Sequence, residues 1–373
     1  MFYEKIQQLA HTIVNYSTSV QPEDVVFING IGFDTQDLVR AVQRETLKAG
    51  GIPYIEYEDY QARRDFILNA DEDTFRKTGA FLLEQMKQAQ VYVGIRGPEN
   101  VYELADVPKE KLALYNRYII GPVHIEQRVK HTRWCVMRYP NPAMSQMAQT
   151  STEAFNRFYY DVCTLDYTRM DRAVRPLVEL MDRTDRVRII APDTDLQFSI
   201  RDIKSIKCVG THNIPDGECF TAPVRNSING TIRFNTPSVH EGIQYDSIHL
   251  TFKNGKVVQM DAGANTEHLR HVLSIDEGAS HVGEFALGFN PYILNPMKDT
   301  LFDEKIAGSL HMALGQCYEE TENGNRSSLH WDLVLIQRPE YGGGEIYFDD
   351  QLIRKDGIFT LPELEGLNME NLK

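Results

Sequence analysis

Cysteine is scarce and scattered in this 373-residue chain. The five residues (Cys135, Cys163, Cys208, Cys219, Cys317) are odd in number, and no two of them form a C-x-x-C pair. Such spacing excludes a disulfide framework and a structural zinc knuckle, and it leaves the thiols reduced. Basic charge is also in short supply. Lys and Arg number 39 against 53 Asp and Glu, a formal net charge of −14. A phosphate backbone is bound through a basic surface, so nucleic acid is excluded as the main partner. No apolar run approaches the roughly 18 residues of a membrane span, so no membrane partner is expected. The opening MFYEKIQQLAHTIVNYS has charges inside its apolar pattern and no h-region, so it does not read as a signal peptide, and the expected compartment is the cytoplasm. The H-E-x-x-H helix and the G-x-S-x-G elbow are missing, which removes the commonest zinc-protease and esterase signatures.

What remains is ordinary globular material, 42% hydrophobic and 25% charged. Its first half alternates two periods. Apolar spacing of three and four predicts helices over 3–16, 35–50 and 71–89, and β-branched and aromatic runs predict strands over 25–30, 53–59 and 91–97. That alternation is the signature of a mostly parallel sheet covered by helices. A helical stretch over about 151–183 follows. Beyond residue 190 the pattern turns to period two, with Asn254-Gly255 as a hairpin turn and a further hairpin expected in EIYFDDQLIRKDGIF. Helices are predicted there only over 264–275 and 361–371. The expected fold class is therefore α/β, with an N-terminal α/β domain over 1–188 and a β-rich domain over 189–373.

Strand 25–30 runs into Gly30-Ile31-Gly32-Phe33-Asp34-Thr35, with Glu56 where a ribose-binding carboxylate would stand. The third glycine of a dinucleotide fingerprint is replaced by Thr35, and Asp34 or Thr35 is explained as a helix N-cap. The segment reads as a structural turn. Gly342-Gly343-Gly344 precedes a strand, so it makes no phosphate cradle. His268 and His271 share a polar helix face without a supporting carboxylate pattern, and His249 reads as an ordinary sheet residue.

Four segments set hard or borderline metal ligands in apolar, β-rich surroundings. Pro215-Asp216-Gly217-Glu218 delivers Glu218 to a strand start. In His281–Gly288, alternation sets Glu284 and Ala286 on one face against Phe285 and Leu287. In Gly308–Gly315, the greasy Leu310, Met312 and Leu314 send His311 the other way. In Ser328–Val334, His330 and Asp332 are i and i+2 and point together from a strand. Three carboxylates and two imidazoles form the ligand mix for two nearby divalent ions when one carboxylate bridges.

These segments, together with TLDYTRMDRAVRPLVELMDRTDRVRI (164–189), DTDLQFSI (193–200) and LFDEKIAGSLHMALGQCY (301–318), resemble the thermophilic-type metallo-aminopeptidases, the aminopeptidase T and aminopeptidase S group of dimetal exopeptidases. The match is dense from about Tyr167 to Asp332. The resemblance implies Glu218, Glu284, His311, His330 and Asp332 as metal ligands, with Glu284 bridging, and Tyr318 beside the metals as donor to a developing oxyanion. It also implies two divalent ions per chain (zinc, cobalt, manganese or magnesium), a homodimer, and peptides with a free N-terminus as substrates. The expected reaction is hydrolysis of the N-terminal peptide bond by a water activated between the ions. For the general base, a bridging Glu284 is expected to share the water proton, with Glu319 as the alternative. The nearest rival is a mononuclear non-haem iron ring-cleaving dioxygenase using His311, His330 and Asp332. Such a site has no need of Glu218 or Glu284.

Overall fold

The computed structural model describes residues 2–373. By contact the chain forms two units, residues 2–164 with 210–215, and residues 165–209 with 216–373.

The first unit is built on a five-stranded sheet in the order Ile52–Glu58, Val25–Ile31, Val91–Arg96, Arg133–Arg138, Asn213–Ile214. Every neighbouring pair is parallel. The central strands are buried almost without interruption because helices cover both faces, the usual fate of parallel strands. Two of the predicted helices appear as Gln36–Lys48 and Glu72–Lys87, and Phe2–Thr12 continues into a wider turn over Ile13–Ser17. The periodicity misses Tyr60–Asn69 and the run Lys109–Val129, whose apolar spacing is diluted by charge.

Gly32 shows why the dinucleotide-like segment is structural. Its φ is +87°, and a Cβ there would lie 1.9 Å from the carbonyl oxygen of Gly97. The glycine admits a neighbouring loop, not a phosphate. The expected N-cap at Asp34 or Thr35 does not form. A 3₁₀ turn over Phe33–Thr35 leads into the helix, and Thr35 Oγ1 donates to Gly32 O at 2.7 Å instead. Glu56 is taken by Asn29, whose Nδ2 donates to Glu56 Oε2 (3.2 Å) and Glu58 Oε1 (2.7 Å).

The helical run Lys109–Val129 sets His124 edge-on to Tyr92 of the central strand Val91–Arg96, and the pKa of His124 falls to about 4 because it is buried and faces the charges of Arg128 and Arg96. The native value lies below the ordinary 6.5, so this group costs nothing above pH 6.5. Between 6.5 and about 4 the unfolded chain takes up a proton that the native chain refuses, and stability falls on acidification. Thermal melts of His124→Gln are expected to lose roughly 2 kcal/mol less than wild type across that window. Equal losses would deny the effect.

The second unit is antiparallel. Its eight-stranded sheet runs Lys256–Asp261, Ile248–Lys253, Asn229–Phe234, Thr194–Ser199, Arg186–Ala191, Glu345–Phe348, Gln351–Lys355, Ile358–Phe359. The Asn254-Gly255 turn joins the first two, with φ of +51° and +83° at its central residues. A five-stranded sheet runs His330–Ile336, Ser309–Gly315, Val282–Gly288, Glu218–Thr221, Ile206–Cys208. The two sheets share a core in which the Phe198 and Phe285 rings meet edge to face at 5.0 Å. A short hairpin pairs Ser238–His240 with Ile243–Tyr245.

The helical stretch expected over 151–183 is two helices, Thr152–Cys163 and Tyr167–Arg183, started by Ser151 and Asp166, which accept from the amides of Ala154 and Arg169. The second helix buries Tyr167, Met170, Val174, Leu177, Leu180 and Met181 within the second unit. The boundary read at 188 therefore differs from the division by contact. A change of period marks where strands begin, but it does not tell which unit a helix packs on. Among the described residues no helix is long and apolar enough to cross a membrane.

Candidate metal centre

All six residues singled out from the sequence (Glu218, Glu284, His311, Tyr318, His330 and Asp332) lie in the second unit, and five of them stand on the five-stranded sheet. Register, more than alternation, gathers them. Ala286 pairs with His311 and Glu284 with Ala313; Ala313 also pairs with Asp332, Gly315 with His330, and Gly288 with Glu218. Cross-strand partners share a face. Each candidate ligand thus has an alanine or a glycine as one cross-strand partner, which leaves room on that side, while His311 also stands opposite Val334 and Glu218 opposite Cys208. A bulge between Val282 and Glu284 helps. Val282 pairs with the greasy Leu314, and the skipped Gly283 returns Glu284 to the polar face. A Cβ at Gly283 would come within 2.3 Å of Gln316 O.

The distances link the five in one chain. Glu284 sits between the imidazoles, with Oε1 3.3 Å from His311 Nε2 and Oε2 3.4 Å from His330 Nε2. His330 Nε2 is also 3.4 Å from Asp332 Oδ1, and Glu218 Oε2 is 3.8 Å from His311 Nδ1. Glu218, Glu284 and His311 are buried; His330 is the most open of the five.

Both rings are held from behind. His311 Nδ1 lies 3.2 Å from Glu304 O, and His330 Nδ1 lies 2.8 Å from Gln316 O. A carbonyl only accepts, so each Nδ1 carries the proton and each Nε2 is left for the centre, the usual arrangement behind a metal-bound histidine. Asp276 orders the loop leading to His330, accepting from the amides of Ala279 and Ser328 and from the hydroxyls of Ser327 and Ser328. Those bonds, the Ser328 amide foremost, hold its carboxyl down at about 2.

Two buried carboxylate oxygens, Glu218 Oε2 and Asp332 Oδ1, have no hydrogen-bond partner. Orphaned anionic oxygens in a protein interior are costly, and a cation is the remedy the donor set suits. Burial would strip His311 of its proton, but Glu284 and Glu218 override it and raise its pKa to about 10. His330 is raised in the same way by Asp332 and Glu284. Protons thus stand in for cations between acids and imidazoles. Oxygen and nitrogen ligands of this mix fit divalent ions.

Tyr318 follows the strand of His311. Its ring lies 4.9 Å from that of His330 and 5.5 Å from that of Phe220. Although the residue is 46% exposed, burial and then the charges of Glu284 and Asp332 push its pKa up, so the hydroxyl stays a donor. Glu319 is exposed. Two residues escape the sequence reading, Glu304 and Lys305. Lys305 Nζ lies 3.3 Å from Glu218 Oε1 and 2.6 Å from Glu304 Oε2. Burial works against its charge, but Glu218 and Glu304 hold its pKa well above the ordinary value. The available signal was three adjacent charged residues, Asp303, Glu304 and Lys305, inside the otherwise apolar stretch Leu301–Leu314.

Known proteins match this chain along most of its length. Aminopeptidase 2 of Geobacillus stearothermophilus is 27% identical over 407 aligned positions, 95% of each chain. Aminopeptidase T of Thermus thermophilus is 39% identical over 139 positions, about a third of each. Among solved structures, wild-type AmpT from Thermus thermophilus superposes with a TM-score of 0.80 at 20% identity, covering 97% of this chain and all of that one. The 2,5-dihydroxypyridine dioxygenase of Pseudomonas putida KT2440 reaches 0.61 at 13% identity, with 97% and 99% covered, and both likenesses speak for the fold alone. The profile of the thermophilic metalloproteases, M29, matches residues 2–342, and the chain belongs to that family.

Proposed function

We propose that the chain is an aminopeptidase that hydrolyses the N-terminal peptide bond of peptides at a centre for two divalent ions. The observation that carries this reading is Glu284, whose two oxygens face two imidazoles at 3.3 and 3.4 Å, with one further carboxylate beyond each ring. Glu218, His311 and Glu284 would hold one ion, and Glu284, His330 and Asp332 the other. Zinc, cobalt, manganese and magnesium all suit these donors. When bound, the pair supplies a water activated at neutral pH and a Lewis acid for the scissile carbonyl.

The chain's own residues do the rest. The Glu304 and Gln316 carbonyls fix the two rings. Burial of Glu218, Glu284 and His311 keeps bulk water from the ligands. Glu284 shares the proton of the attacking water, a role that exposed Glu319 fills less well. Tyr318 donates its hydroxyl to the oxygen that gains charge.

A cytoplasmic setting accords with five free cysteines. A homodimer accords with the edge strand of the first unit, which leaves Ile52, Tyr54 and Tyr57 exposed.

The test is a paired assay on the metal-loaded chain, with a leucyl peptide and its N-acetylated counterpart. Cleavage of the free-amine peptide alone is expected. Cleavage of both would make the chain a different peptidase. Ring cleavage with a single bound iron would give the site to the dioxygenase chemistry, for which Glu218 has no use.

A further inference from the structure

Lys305 has no part in the reaction proposed above, but among the described residues no other lysine is as deeply buried. It is 1% exposed, and it forms ion pairs with Glu218 and Glu304, with Asp216 attracting it from further off. An ammonium loses its hydration in such a place, and it persists only where fixed anions replace the water. Its backbone is equally fixed. The amide of Asn290 donates to Lys305 O at 2.9 Å, and the Lys305 amide donates to Phe302 O at 3.0 Å. Asp303 clamps the same turn by accepting from the amides of Met297 (2.7 Å) and Lys298 (2.8 Å). This turn therefore does two things at once. The Glu304 carbonyl holds His311, and the next side chain reaches Glu218.

Glu218 is divided by that contact. Oε1 receives the ammonium, while Oε2 is buried without a hydrogen-bond partner, 3.8 Å from His311 Nδ1. A second group of potential ligands adjoins it, because ligand atoms of Cys208, Asp216 and Glu218 lie within 4.8 Å of one another. A thiol with two carboxylates would draw a soft divalent ion and pull Glu218 away from His311. Lys305 supplies positive charge to the same carboxylates.

We propose that the Lys305 ammonium is a built-in cation that occupies Glu218 Oε1, offers only Oε2 to a metal ion, and bars a further ion from the Cys208–Asp216–Glu218 group. Lys305 is then a positioning residue, and the proposal rests on the two-ion reading. A free Glu218 would chelate with both oxygens or turn towards Cys208. Held by one oxygen, it keeps its direction towards His311.

Equilibrium dialysis with cobalt(II) tests this on the full chain. Wild type is expected to bind two ions without a sulfur-to-cobalt charge-transfer band. In Lys305→Met one ion is expected to bind about 10–100-fold more weakly, with a thiolate band that disappears in Lys305→Met/Cys208→Ser. Two ions bound by Lys305→Met with wild-type affinity and no thiolate band would overturn the proposal. Wild type binding fewer than two ions would instead overturn the two-ion reading beneath it. Should Lys305→Met fail to fold, a crystal structure of the cobalt-loaded wild type decides. Glu218 bound through Oε2 with Lys305 still on Oε1 supports the proposal; both oxygens, or Cys208, on an ion refutes it.

Discussion

Replacing Glu284 by alanine is expected to strip the chain of both ions together and to lower the release of p-nitroaniline from leucine p-nitroanilide by about 10³-fold or more, several kcal/mol of barrier. The reason is positional. Glu284 is the one carboxylate that faces both His311 and His330. Without it each half of the centre retains one imidazole and one acid, Glu218 with His311 and Asp332 with His330. Two ligands hold an ion far more weakly than three, and nothing is left to bridge. The fold should survive, because Glu284 stands opposite Ala313 on the polar face and the packing against Phe198 comes from Phe285. Circular dichroism and a melt separate loss of metal from loss of structure. Glu284→Gln keeps the shape and removes the charge, and it should fail nearly as badly. Retained activity at full metal occupancy in either variant would refute the role.

Tyr318→Phe tests the other end of the reaction. The ring contacts with His330 and Phe220 need no hydroxyl, so the phenylalanine should keep them. A donor aimed at an oxygen that gains charge acts mainly in the transition state. The expected result is a fall in kcat of about 10²–10³, or ~2.7–4 kcal/mol, with KM little changed. An effect confined to KM would make Tyr318 a residue that binds substrate and leaves the oxyanion alone. The metal content of this variant should match wild type, since a phenol that remains protonated is a poor ligand.

Much of this was legible in the sequence because a strand has period two. Leu310, Met312 and Leu314 mark the apolar face, so His311 had to lie on the other, and the same argument pairs His330 with Asp332. The parallel sheet of the first unit was readable from its alternating periods for a similar reason. Register was not legible. Nothing in the residues themselves sets Glu284 opposite Ala313 and Ala313 opposite Asp332, since pairing is a property of two strands. The bulge at Gly283 is equally silent, because only the Gln316 carbonyl passing nearby explains the glycine. Glu304 and Lys305 escaped because they sit in a turn, where no period distinguishes a buried charge from a solvated one. The N-cap expected at Thr35 failed because a 3₁₀ turn takes the hydroxyl for Gly32 O.

The most direct measurement is the amount of divalent metal retained per chain, by elemental analysis after saturation and exhaustive dialysis. Two ions are predicted for the wild type, falling together in Glu284→Ala. A single ion in the wild type, or an undiminished pair in the variant, would contradict a centre built around that one carboxylate.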